Sequence, residues 1–197
     1  MAMKRIHVQL PSNLLARCIK AGEIIVRDLL NPSSLEDAMS AAISSHGAEL
    51  DPILQANAKA AECAFCLWAG FDPLYSIRWR HADHGYDVVW FNVRIDVKQT
   101  CHRNGRLIWP INKTRLLKDQ KHFDVFVLAC GSCADFDLCG WITKTDFLNS
   151  YRISNGADGL TAGTWFLEQR ELREMETLPA AIEWMCANDH NVIMRSI

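Results

Sequence analysis

Tyr86-Asp87-Val88-Val89-Trp90-Phe91-Asn92-Val93-Arg94-Ile95-Asp96-Val97-Lys98-Gln99-Thr100 reads as a β-hairpin that delivers two carboxylates and an ammonium to one point. Successive residues of a strand face opposite ways, so Asp96 and Lys98 share a face while Val93, Ile95 and Val97 point into a core. Asp87 opens the preceding apolar run, with eight residues between it and Asp96, the distance a short hairpin needs to bring it back alongside. Two acids forced together repel, which raises a pKa or costs stability unless a divalent cation is shared between them. A lysine beside such a pair suits an anionic substrate.

Upstream, Asp51-Pro52 has the form of a helix start, a capping carboxylate followed by proline in the first turn. An alanine-rich stretch continues the predicted helix to Trp68, and Gly70 ends it. Glu62 falls near its centre among Ala58, Ala61, Cys63, Phe65 and Cys66. A carboxylate with such neighbours needs a partner, which a metal ion or Lys98 would supply. Residues 4–9 are expected as a short strand or arm. Pro11-Ser12 opens a helix through Leu30, and Ser33-Ser34-Leu35-Glu36 starts another that runs to about Ser44. Ser76–Arg80 alternates enough to predict a strand. Cys101–Lys121 is expected to be irregular and then helical, and Phe123–Ala129 reads as a strand buried on both faces. Gly140–Thr143 is a returning strand, Lys144–Leu148 a short helix, Gly163–Leu167 a further strand and Leu178–Met185 a closing helix. Strands alternating with helices give an α/β or α+β class with a mixed sheet. The expected division is an N-terminal helical extension over 1–50 and a core over 51–197.

The combination of Asp87 with Asp96-Val97-Lys98, preceded by a glutamate helix, resembles the PD-(D/E)xK nuclease superfamily, whose core is the restriction-endonuclease-like fold. Glu62 takes the place of that family's extra acidic residue, and Tyr86 stands where the family often has proline. The resemblance covers roughly residues 51–178. It implies a central mixed sheet flanked by helices and a phosphodiester hydrolase acting on DNA, as an endonuclease. It also implies Mg²⁺, or Mn²⁺ in its place, held by Asp87, Asp96, Glu62 and the carbonyl of Val97. Lys98 would position the attacking water or stabilise the transition state. RNA is compatible with the same chemistry, and the family's habits admit a homodimer. The other readings are a non-catalytic nucleic-acid-binding or interaction protein on this fold and a cysteine-based metal protein.

The charge distribution bears on the partner. Across 197 residues the formal net charge is −2, yet residues 76–122 hold ten Lys/Arg against four acids and four of the seven histidines. A positive field around the proposed site is what a phosphate backbone requires. Arg78, Arg80, Gln99, Arg103, Arg106, Lys113, Arg115 and Lys118 are the candidate DNA contacts. His81 and His84 are weaker candidates for metal or phosphate. With no apolar run approaching about 18 residues and no secretion signal in Met1–His7, a cytoplasmic protein with no membrane partner and reduced cysteines is expected. Cys130, Cys133 and Cys139, spaced C-x2-C-x5-C, are similar to the triplet of iron–sulfur-containing RecB-type nucleases. No Q-x3-Y element follows Lys98, however, and packing in a hairpin is the preferred reading over an iron–sulfur or zinc site.

Overall fold

The computed structural model describes residues 4–30, 51–78, 86–109 and 123–193. In chain order the elements are β1 (Ile6–Gln9), α1 (Ser12–Leu30), α2 (Pro52–Ala69), α3 (Leu74–Arg78), β2 (Val88–Trp90), β3 (Val93–Thr100), β4 (Leu107–Trp109), β5 (Val125–Ser132), β6 (Asp135–Thr143), α4 (Lys144–Ser150), β7 (Arg152–Ile153), β8 (Trp165–Leu167) and α5 (Leu178–Ile193). Two 3₁₀ turns, Gln169–Glu171 and Met175–Thr177, lie between β8 and α5.

The central sheet has the order β1-β6-β5-β3-β2. β3 and β5 are parallel and the other pairs antiparallel, so the class is α+β with a mixed sheet. A second, three-stranded sheet has the order β4-β8-β7. β5 is apolar throughout its first six residues because both of its faces are covered. Val125, Val127 and Ala129 pack with Ala60, Ala61, Ala64 and Phe65 of α2. Phe126, Leu128 and Cys130 face the opposite way, onto Leu107, Trp109, Phe147 and Leu167. Among the described residues no helix is long and apolar enough to cross a membrane.

α2 forms where its end signals place it. Asp51 Oδ1 accepts the Ile53 N–H at 2.8 Å, and Gly70 closes the helix at φ 77°, a left-handed conformation that glycine adopts without a Cβ clash. α1 crosses α2 closely enough that a Cβ on Gly22 would lie 2.4 Å from the Pro52 carbonyl oxygen. β1 is an edge strand of the central sheet, and Leu10, Leu14 and Cys18 belong to the same core cluster as α2. Residues 6–30, read from sequence as the start of an extension, are thus built into the main packing unit.

Over Ser76–Arg78, the described part of the strand expected over Ser76–Arg80, the chain is helical, within α3. The reason is local: Asp72 accepts the Leu74 N–H through its side chain at 2.9 Å, with Pro73 in the first turn, repeating the Asp51-Pro52 device. The helix expected over 33–44, the residues after Arg78 up to Gly85, and most of the basic connection to β5 lie outside the described residues.

Candidate active site

β2 is only three residues long and pairs no further along β3 than Ile95. Among the described residues no strand pairs with that edge of β3 from Asp96 onward, and Asp87 takes up its hydrogen bonds. The Asp87 N–H donates to the Ile95 carbonyl at 2.8 Å, and Asp87 Oδ2 accepts the Val97 N–H at 2.7 Å. The hairpin register, continued by one residue, sets Asp87 opposite Asp96. On its other edge β3 is fixed by β5, with Asp96 beside Phe126 and Lys98 beside Leu128. The carboxylates therefore sit where one neighbouring strand stops and the other continues.

Asp96 is 4% exposed. Its Oδ1 accepts from Lys98 Nζ at 2.7 Å, whereas Oδ2 is buried and accepts no hydrogen bond among the described residues. An unpaired buried carboxylate oxygen is costly, so one left in place in a folded protein calls for an explanation. Glu62, 5% exposed, approaches from α2, and Lys59 one turn earlier donates to both of its oxygens at 2.8 and 2.7 Å.

The three acids feel one another. Burial pushes the Glu62 carboxyl up; Lys59 opposes this, and the Asp96 charge adds to the rise. Burial also holds Asp87 well above the ordinary carboxylate range, with the negative charges of Glu62 and Asp96 next in weight and Lys59 and Lys98 countering. Lys59 loses from burial but gains more from Glu62 and Asp87, so its ammonium is held more firmly than usual. The arrangement is a largely buried cluster of three carboxylates and two lysines, coupled through their charges. Among the described residues no three His, Cys, Asp or Glu side chains form a ready-made metal cage. In this arrangement lysines and a backbone amide take up acid oxygens, and Asp96 Oδ2 is left over.

Compared with family models, with curated proteins and with solved structures, the chain matches none of them. The site rests on its own geometry.

The other candidate residues fall elsewhere. Gln99 donates to the Gly131 carbonyl at 2.7 Å and so ties β3 to the β5–β6 turn. Arg106 pairs with Glu168 at 2.9 Å and lies 4.9 Å over the Phe166 ring, which commits its guanidinium to the second sheet. Arg94, counted in the basic segment, makes a two-pronged pair with Asp124 at 3.0 Å on each prong. Arg103 is exposed. The side chain of Arg78, and Arg80, His81, His84, Lys113, Arg115 and Lys118, lie outside the described residues. Cys130 and Cys139 are buried in the second core cluster, while Cys133 is exposed in the turn at φ 57°. Its N–H is held by Asn57 Oδ1 at 2.8 Å. The triplet thus divides between core and surface.

Lys59 went unnoticed in the sequence. Its signal was the i,i+3 spacing to Glu62 on one helix face, which brings two side chains together.

The shift on Asp87 has a measurable consequence. A carboxyl whose folded pKa is raised keeps its proton when the unfolded chain has released it, so stability falls as pH rises. The window opens near pH 4, the unfolded value, and closes at the folded pKa of Asp87. Asp87→Asn keeps an oxygen for the Val97 N–H and removes the charge. In chelator, the stability of the variant relative to the parent is expected to grow across that window. Urea unfolding at a series of pH values measures it, and a difference independent of pH would show that Asp87 carries no such load.

Proposed function

We propose that this chain is a Mg²⁺-dependent deoxyribonuclease of the PD-(D/E)xK type, an endonuclease built on a restriction-endonuclease-like core. The observation that supports this reading is Asp96 Oδ2, a buried carboxylate oxygen that accepts no hydrogen bond among the described residues, in a charge cluster with Asp87 and Glu62. All-oxygen donors of this kind fit a hard divalent cation, and Mg²⁺ needs few of them because it keeps much of its water. A hairpin followed by a parallel strand, β2-β3 then β5, agrees with the proposed core.

Asp87 and Asp96 would hold the ion, with Glu62 behind them. A divalent cation held by these residues would supply charge neutralisation for a phosphodiester and acidify a nearby water. The protein's own part is positioning. The Val97 amide fixes Asp87, and β5 fixes the strand that carries Asp96 and Lys98. Lys98 is about one-third exposed (32% for its side chain) and lies 6.0 Å over the Phe126 ring, so its ammonium is steered toward Asp96 and still reaches solvent. From there it can donate to a phosphoryl oxygen, where negative charge accumulates in the transition state.

The test is incubation of the purified chain with supercoiled plasmid and with single-stranded DNA, in Mg²⁺, in Mn²⁺ and in EDTA. Nicking or linearisation that requires the metal is expected. Intact DNA under every metal condition, from protein with a cooperative thermal transition, refutes the assignment.

A further inference from the structure

Lys59 is placed as a cation would be. Its side chain is 17% exposed, its ammonium contacts both oxygens of a carboxylate that is itself 5% exposed, and its charge also acts on Asp87. A lysine on a solvated helix face pairs loosely with one oxygen at most times. This one is turned inward and engages both.

The charges in the pocket define what it can take. Glu62, Asp87 and Asp96 bring three negative charges when ionised, and Lys59 and Lys98 bring two positive ones. The residual −1 is suited to one divalent cation. A second would leave a strongly positive, largely buried cluster, which Coulomb repulsion at short range opposes. The two lysines are not equivalent. Lys98 sits on the strand with one Asp96 oxygen and its side chain is partly exposed, whereas Lys59 donates to both Glu62 oxygens.

We propose that Lys59 is a resident cation of this pocket, occupying at Glu62 the place of a second metal ion, so that Glu62 is a partner of Lys59 and the pocket takes metal at Asp87 and Asp96 alone. The inference deepens the nuclease reading and rests on its metal site.

Binding of Mn²⁺ alone, followed by the loss of the free-ion electron paramagnetic resonance signal at neutral pH, tests it without any activity measurement. Lys59→Met should bind one more Mn²⁺ per chain than the parent protein. Glu62→Gln leaves the Lys59 charge unopposed and should weaken Mn²⁺ binding by about tenfold or more. The double variant Lys59→Met with Glu62→Gln, which removes both charges, should regain the affinity of the parent. That rescue decides the matter even when Lys59→Met alone fails to fold. If Glu62 is instead a metal ligand, Glu62→Gln and the double variant lose affinity alike, and the role of Lys59 is overturned while the nuclease reading stands. Binding of the same number of ions by parent and Lys59→Met overturns it as well. Failure of the parent to bind Mn²⁺ at all would remove the metal site and the nuclease reading with it.

Discussion

Asp96→Asn is expected to lower the rate of DNA cleavage by about a thousandfold while leaving the metal-free protein at least as stable as its parent. The size of the loss follows from what the residue holds. Removing a single preorganised electrostatic contact to a reacting group typically costs about 10²–10³ in rate, and Asp96 would hold the group that supplies most of that field. The unusual half of the expectation is the stability. Asp96 is 4% exposed, is coupled to two other acids, and has one oxygen that accepts no hydrogen bond among the described residues. Asparagine keeps an oxygen for Lys98 and turns the orphaned acceptor into a donor facing acidic neighbours. It also removes one like charge from the cluster. Relieving an unsatisfied buried group is worth about 1–3 kcal/mol, part of which the lost Lys98 ion pair takes back. Initial rates on plasmid in Mg²⁺, with thermal melts in EDTA, separate the two effects. A variant that loses activity and melting temperature together would mean that Asp96 is a structural ion-pair partner of Lys98 and nothing more.

The same opposition explains why part of this site was readable and part was not. Asp96 and Lys98 lie on β3 and Asp87 directly precedes β2 of the same hairpin, so the two-residue period and the length of the turn are enough to gather them. Glu62 comes from a distant helix, and only its apolar neighbours marked it as buried. Lys59 was missed because a lysine on an alanine-rich helix looks like solubility, and only the side-chain geometry shows that it turns inward. Gln99 and Arg106 were expected as DNA contacts, Gln99 from its place after Lys98 and Arg106 from the basic stretch; here Gln99 donates to the Gly131 carbonyl, and Arg106 pairs with Glu168 and lies over Phe166. Those partners are 32 or more residues away, and no local pattern announces them. Fold reading shows the same division. α2 carries its own start and stop signals, and β5 its continuous apolar run. The place of β1 beside β6, and the joining of β4 to β8, depend on long-range pairing that neither strand encodes alone. The strand read over Ser76–Arg80 rested on alternation alone, whereas the Asp72 cap starts a helix over Leu74–Arg78.

Trp141→Ala is expected to destabilise the protein by about 3–5 kcal/mol, the range for removing a large aromatic side chain from a core. Trp141 is 1% exposed on β6, and its indole Nε1–H donates to the Glu174 carbonyl and to Thr177 Oγ1, each at 3.0 Å. Its backbone bridges Arg173 in both directions, at 3.0 and 2.9 Å, and the Arg173 guanidinium covers the ring at 4.9 Å. The residue thus packs within the main core and anchors the segment that leads into α5, whose Leu178 and Ile182 are fully buried in the same cluster. Truncation loses the contacts of the ring and leaves a cavity, and the two indole hydrogen bonds go with it. Trp141→Phe keeps most of the ring volume and forfeits the two hydrogen bonds, so about 1–2 kcal/mol is expected from it. Against a typical total of 5–15 kcal/mol, the alanine variant sits near the limit of folding. The damage also points toward the site: Trp141 is in register with Val127, and Val127 with Val97, the residue between Asp96 and Lys98. Trp141, two strands from Val97, thus shares the row on which the Asp87–Val97 hydrogen bond is made. Urea unfolding monitored by fluorescence measures the loss. A change below about 1 kcal/mol for Trp141→Ala would mean that β6 and the approach to α5 are held by other contacts, and that the row through Val127 carries no strain to the site.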